Sequence, residues 1–408
     1  MFRNARRFGA PHLRRLAGRV ALATACLTLL AWSARGQLRP NPALRAQAAP
    51  EVLERLRADP FTYFRFVNRA WIARVCDAFA DVPDVPIVRL HGDAHVEQFA
   101  VAGRAWGLDD FDDYAHGPLF VDVVRFLGSL DLAVRNHGWT RGRDTVWNRF
   151  LEGYRRGLSE PAYRSPEPRI VRRLLAQAPP THAAFLAWGE TLMQPMDEAA
   201  SKSLVADLQA LERFIARERP GLPAGYFTVV RAGWLRIGVG SSGLRKVLIR
   251  AQGPTAAPDD DVLLEVKEAA NLNGLACIEN STIMPGARIV EANRQLGRLK
   301  HDILAVGPRL PEGLISSEAD RTPHLLDWWI SSWEPTYREL SVRDLQSVDE
   351  LAEIAVDAGV QLGAGEPPDS AVRKQALAWI ARFDRRIRTE TETIVRELLA
   401  EWQAQARR

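Results

Sequence analysis

The hydrophobic pattern of this chain changes period twice, and that limits the folds open to it. From residue 51 to about residue 225 apolar residues recur at helical spacing. Val121 to Arg135, for example, carries Val123, Val124, Phe126, Leu127, Leu130 and Val134 on overlapping faces. Near residue 225 the texture becomes β-rich. Tyr226 to Val230, Trp234 to Val239, Lys246 to Ala251 and Val262 to Val266 read as strands, with Pro254 to Asp261 as a polar turn. A helix is expected over Gly286 to Leu304. After Trp328 the pattern is helical again and ends in an amphipathic stretch from Asp369 to Ala406. Helices and strands that are segregated rather than alternating predict an α+β fold, with a mostly helical lobe and a small antiparallel sheet. Within the helical part, residues 51–80 break at Pro60, 86–90 read as a short buried strand, and 98–103 with 105–108 read as a hairpin around Gly103. Helices are expected at 142–157, 168–178 and 180–219.

The net charge of +4 hides an asymmetry. Residues 1–50 hold nine Arg and no Lys, Asp or Glu, so taking those nine charges away leaves −5 on the remainder. The body therefore has no basic footprint for nucleic acid. The basic leader precedes the 13-residue apolar run Val20 to Trp32, which is short for a membrane span and suits a signal peptide. Residues 1–36 are read as a signal peptide or membrane anchor, and 37–50 as a linker. The protein is thus expected to be exported (periplasmic or secreted) or anchored to the inner membrane, with membrane contact only through this segment. Of the three cysteines, Cys26 lies in the leader. Cys76 and Cys277 are either a disulfide or two buried thiols.

Seven potential ligands fall within 23 residues: His91, Asp93, His95, Asp109, Asp110, Asp112 and Asp113. They sit where strands end, and a carboxylate there must be solvated, paired or bound to a cation. One carboxylate could accept a hydroxyl proton while others hold a divalent metal such as Mg²⁺. An acidic turn that caps a helix through Asp113 or Asp122 is the plain alternative. Gly238, Gly240 and Gly243 form a GxGxxG run. A strand rather than a helix follows it, which suits a loop that covers phosphates. A simple glycine-rich hairpin would look the same. Lys267 closes the apolar strand from Val262, in a chain with only five Lys. Its buried charge needs a partner. Glu291 on the following helix is the expected one, with Glu268 and Glu279 as rivals.

Taken together, Asp59 to Arg65, His91 to Phe99, Asp110 to Asp113 with Gly117, Pro118 and Asp122, the glycine loop, and Val266 to Ala269 resemble the bacterial domain-of-unknown-function 2252 family. The His91 and Asp110 blocks are also similar to the motifs of aminoglycoside and choline phosphotransferases. The resemblance implies a protein-kinase-like fold in permuted order, because the catalytic and metal motifs precede the glycine loop. It implies Asp93 as catalytic base and Asp110 as Mg²⁺ ligand, helped by Gln98 or Asp112. Asp122 would brace the catalytic loop, and the loop glycines and Lys267 would hold ATP. Gln98 stands where the pattern has Asn, and a late motif with His and Arg is replaced by Leu362 to Gly365.

The expected parts are therefore a helical catalytic-loop and metal-motif portion (51–225), a β-rich nucleotide-binding portion (226–305) and a C-terminal helical portion (306–408). The expected function is transfer of a phosphoryl group from Mg–ATP to an unknown small-molecule or protein hydroxyl. Two rivals stand beside it: a nucleotide-binding pseudokinase or scaffold without turnover, and a metal-dependent hydrolase built on His91, Asp93, His95 and Asp110. The run Trp328 to Trp333 is expected in the core rather than along a substrate cleft.

Overall fold

The computed structural model describes residues 38–48, 50–139, 141–196, 225–235, 244–279, 285–306 and 328–407. The leader, the glycine loop from Gly238 to Gly243 and most of the 180–219 stretch lie outside the described residues.

The chain begins with α1 (Pro42–Gln47), α2 (Pro50–Ala58), α3 (Pro60–Phe66) and α4 (Asn68–Ala78). It continues through β1 (Ile87–Leu90), β2 (Phe99–Ala102), β3 (Ala105–Leu108) and β4 (Ala115–Pro118). Four helices follow: α5 (Phe120–Asn136), α6 (Arg143–Ser159), α7 (Arg169–Leu175) and α8 (His182–Thr191). Next come β5 (Met193–Gln194), β6 (Val229–Leu235), β7 (Lys246–Ala251) and β8 (Val262–Glu268). The last elements are α9 (Pro285–Gln295), β9 (Leu304–Val306), β10 (Trp328–Ser332), β11 (Arg338–Glu339), α10 (Val348–Gly365) and α11 (Ser370–Ala406).

The fold is α+β. One helical body buries Phe64, Trp71, Phe126, Trp147, Ile354 and Ile394 around α3–α6, α10 and α11. Beside it lies a sheet in the order β5-β6-β7-β8-β10-β9, with every pairing antiparallel. Smaller sheets pair β1 with β4 and order β11-β2-β3. Side chains alternate across the large sheet. Val247, Ile249, Leu264, Val266, Trp328 and Ile330 pack one face. On the other, Leu248 and Leu263 lie against Phe185 and Leu186 of α8.

The helical body is closed by a tight contact between α6 and α10. A Cβ on Gly363 would lie 2.2 Å from the Tyr154 carbonyl oxygen, and one on Gly153 would lie 2.2 Å from that of Val356. Leu362 to Gly365 thus lets two helix backbones touch.

Several expectations need correction. Among the described residues, the strands expected at Tyr226–Val230 and Trp234–Val239 meet in one strand, β6 (Val229–Leu235), bulged between Val229 and Arg231; residues 236–239 lie outside the described residues. The helix expected over Gly286–Leu304 stops at Gln295, and the chain then turns toward β9. Trp328 opens a strand, and helix resumes only at Val348. Trp328 and Ile330 fill the core while Trp329 faces the cleft described below. The 37–50 linker contains α1, and it is tied down by Tyr63, whose hydroxyl donates to the Leu38 carbonyl at 2.8 Å. The sheet also crosses the expected boundaries, since β5 comes from before residue 226 and β10 from after residue 305. Cys76 and Cys277 are disulfide-bonded. Among the described residues no helix is long and apolar enough to cross a membrane.

Candidate functional site

The site is built on α3. Asp59 caps this helix by accepting from Phe61 N (3.1 Å) and Thr62 N (2.9 Å), and Pro60 takes the position where no N–H is needed. The cap fixes Phe61 and Phe64, which pack edge-on against the His95 ring of the His91–Phe99 block. Arg125 of α5 lies over the Phe64 ring at 3.5 Å and donates twice to the Phe64 carbonyl at 3.1 Å. The same guanidinium gives Nε and Nη2 to Asp93 Oδ1 at 2.9 and 2.7 Å. Arg125 is fully buried. Sequence reasoning missed it, although a lone Arg in the apolar run from Val121 to Leu130 was the available signal, since a buried charge demands a partner.

Asp122 holds the loop from behind. Its two oxygens accept from His91 N (2.5 Å) and Gly92 N (3.0 Å). Gly92 has φ +85°, and a Cβ there would lie 1.9 Å from the Asp113 carbonyl oxygen. Only glycine lets this loop touch the Asp110–Asp113 turn so closely. Asn68 of α4 bridges the two, donating to the Gly92 carbonyl and Asp113 Oδ2, both at 2.9 Å. Asp110 itself sits at φ +59°, an uncommon backbone region in which strain marks functional turns.

Lys267, at the end of β8, reaches across from the sheet. Its ammonium contacts Asp110 Oδ1 at 3.3 Å and pairs closely with Asp112 Oδ2. Glu291 is therefore not its partner. α9 instead packs Ala292, with Leu296 just after it, against Phe111 and Tyr114 and sends Arg288 to the carbonyls of Tyr114, Asp112 and Ala270. The helix that was expected to supply a carboxylate supplies an anchor for the aspartate turn.

These groups line one cleft of about 1220 Å³, larger than the ~300–1,000 Å³ common for small-molecule sites. Asp93, Gln98, Asp110, Asp112 and Lys267 all border it. Gln98 is buried, and its backbone carbonyl accepts from Asp109 N at 2.8 Å.

Electrostatics divide the acids. Burial pushes Asp93 up, but the Arg125 charge outweighs it and holds the carboxyl below its ordinary value. Burial drives His95 down to about 4, so its ring is neutral, edge-on to Phe61. Burial, with the Asp110 charge, lifts Asp112 well above the carboxylate range, whereas Lys267 is the main influence holding Asp110 low against its burial. Two carboxyls thus share one ammonium. Asp112 Oδ1 receives no donor. Two carboxylates plus waters and phosphates are what Mg²⁺ commonly takes, so the residues fit that ion. The His-x-Asp-x-His set does not converge in this way. His91 Nε2 lies 2.9 Å from the Asp109 carbonyl, and among the described residues no group of three or more His, Cys, Asp or Glu is placed to hold a metal.

These features define an α+β protein with a carboxylate-lined cleft between a helical body and an antiparallel sheet. Residues 45–204 match the model of a family described as an uncharacterized protein conserved in bacteria, the domain-of-unknown-function 2252 family. That stretch holds the Asp93 and Asp110 blocks, while the glycine loop and Lys267 lie beyond it. No curated protein and no solved structure matched the chain.

Proposed function

We propose that the cleft transfers a phosphoryl group from a magnesium-bound nucleoside triphosphate to a hydroxyl acceptor, in a kinase-like arrangement whose halves occur in swapped sequence order. The observation that carries this is the meeting of Lys267 with Asp110 and Asp112, 157 and 155 residues earlier in the chain, in a cleft that Asp93 also lines. Lys267 would neutralise phosphate charge, as Lys does in kinases. Asp110 and Asp112 would hold Mg²⁺, with Gln98 at hand, and the ion would offset charge on the bridging phosphate oxygens. The acceptor oxygen forms a bond to the terminal phosphorus as the bond to the diphosphate oxygen breaks. Asp93 takes the hydroxyl proton. Because Arg125 keeps Asp93 ionised, it orients the hydroxyl first and accepts the proton late, when the oxygen has become acidic.

The test uses the full chain. Mg–ATP at about 100 times its dissociation constant should stabilise the protein by roughly 2.7 kcal/mol. Transfer to a panel of alcohols, sugars and protein hydroxyls should fall roughly 10²–10⁴-fold in Asp93→Asn with nucleotide affinity little changed. No stabilisation of the wild type by any nucleotide sinks the reading. Binding without product from any acceptor indicates a scaffold without turnover.

A further inference from the structure

We propose that the indole pair Trp188 and Trp333 is the subsite for the base of the nucleoside triphosphate, an inference that rests on the reading above. The wall that the sheet presents to the cleft changes character along β8. At one end stands Lys267, facing the Asp110–Asp112 turn. Two residues back, Glu265 lies opposite Ser331 of β10, and both border the cleft. Two further back, the Leu263 carbonyl accepts from Trp333 N at 2.9 Å, and the Leu263 side chain packs against Phe185 of α8. Trp188 comes from the same helix, and its ring centroid lies 5.7 Å from that of Trp333. Side chains two apart share a face of a strand. One wall therefore carries an ammonium, then a carboxylate with a hydroxyl, then an aromatic pair.

That order is the order of phosphates, sugar and base. An ammonium neutralises phosphate, a carboxylate is a common acceptor for ribose hydroxyls, and an aromatic ring stacks on any base. From Lys267 to Leu263 the strand runs four residues, ~13 Å, a span that a triphosphate and a ribose bridge. The rings are held in place. Trp333 Nε1 donates to Glu265 Oε2 at 2.9 Å. Arg338, fixed by the Gln177 carbonyl at 3.1 and 3.2 Å, lies 5.9 Å from the Trp188 ring. Yet Trp188 stays 42% exposed. A single apolar side chain on an open surface is ordinary. Trp188 instead stands in a concave site beside a second indole. Of the three large hydrophobic side chains exposed among the described residues, Ile87, Trp188 and Val230, it is the one that borders the cleft. A base laid against it would cover the apolar surface that folding leaves open.

The experiment measures binding of Mg–ATP and of inorganic triphosphate with Mg²⁺ to the full chain, to Trp188→Ala and to Trp188→Phe, with ligand-free melting as the folding control. Trp188→Ala should bind Mg–ATP roughly five- to hundredfold more weakly, the size of one lost base–aromatic stack, with triphosphate unchanged. Trp188→Phe should keep most of the affinity. Should Trp188→Ala not fold, Trp188→Leu replaces it, because it fills space without a π face. Wild type and Trp188→Ala that bind Mg–ATP equally well overturn the subsite and leave the proposed function standing. Equal losses for Mg–ATP and triphosphate assign Trp188 to the shape of the cleft and overturn the subsite too. Wild type that binds triphosphate but not ATP removes the nucleotide and its base subsite together. Wild type that binds neither removes the proposed function as well.

Discussion

Asp93 and Asp112 lie 19 residues apart, both buried beside a cation, yet their electrostatic fates are opposite. Asp93 has a cation to itself. Arg125 is positioned by two bonds to the Phe64 carbonyl and by the ring beneath it, so the guanidinium arrives pre-oriented and the carboxylate stays ionised. Asp112 must share Lys267 with Asp110, and burial with the adjacent charge raises it. One end of the cleft is electrostatically complete as folded. At the other, two carboxyls share the Lys267 ammonium, and burial with the Asp110 charge favours the protonated form of Asp112. Arg125 fixes the geometry at Asp93, whereas on the proposed function the Asp110–Asp112 end would exchange a proton for Mg²⁺.

The largest break in this comparison comes from Arg125→Met. It leaves Asp93 buried without its partner, and losing one member of a buried pair costs about 3–5 kcal/mol. Denaturant unfolding of the variant should show a loss of that size. Adding Asp93→Asn should restore much of it, because the uncompensated charge is then gone. If the double variant is no more stable than Arg125→Met, the loss belongs to packing over Phe64 and not to charge.

What the sequence made legible follows from locality. The hairpin around Gly103, β7, α5 and the break at Pro60 depend on residues within a few positions, and the chain spells them out. The acids of the site could be named because carboxylates clustered at strand ends have few structural uses. What stayed hidden was partnership at long range. Nothing near Lys267 says that its charge is met by Asp110 and Asp112 rather than by Glu291, since both choices satisfy the same need. Arg125 was visible as a charge in an apolar run, but its role depends on which loop lies opposite. β10 was masked by a tryptophan-rich run whose period of two covers only five residues.

Behind the Asp93 loop lies a second pair of acids, which sharpens the contrast because no Lys or Arg among the described residues forms a salt bridge to it. Asp122 and Glu366 are fully buried, and the Tyr154 hydroxyl donates to Glu366. Burial raises Asp122 to about 6 and, with the Asp122 charge, lifts Glu366 well above its ordinary value. Asp122 accepts two backbone N–H groups, so the negative charge belongs there and the proton on Glu366. Both folded values lie above the unfolded ones. The stabilising protons are fully present below about pH 4, and stability is lost as pH rises through about 6 and beyond, by up to ~1.4 kcal/mol per unit per group. Glu366→Gln keeps a donor toward Asp122 without a titrating proton. Its melting temperature should fall less than that of wild type between pH 5 and 8. Parallel pH profiles for the two proteins would place the shared proton elsewhere.

The smallest expected effect tests the incomplete end directly. Asp112→Asn removes the carboxyl that burial and Asp110 push up, and leaves Lys267 with Asp110 alone. Because the folded value is raised, wild type gives up stability as pH rises through it, while the variant does not. The two should melt alike near pH 6, and near pH 9 the variant should melt higher by a few degrees, on the order of 1 kcal/mol. Mg²⁺ should raise the melting temperature of wild type more at pH 8.5 than at pH 6, since a metal must displace the proton, and should do little to the variant. A variant that melts lower than wild type across the whole range would show that the Lys267–Asp112 pair stabilises the fold. In that case the Asp110–Asp112 end would be as complete as the Asp93 end, and the difference between them would lie in exposure alone.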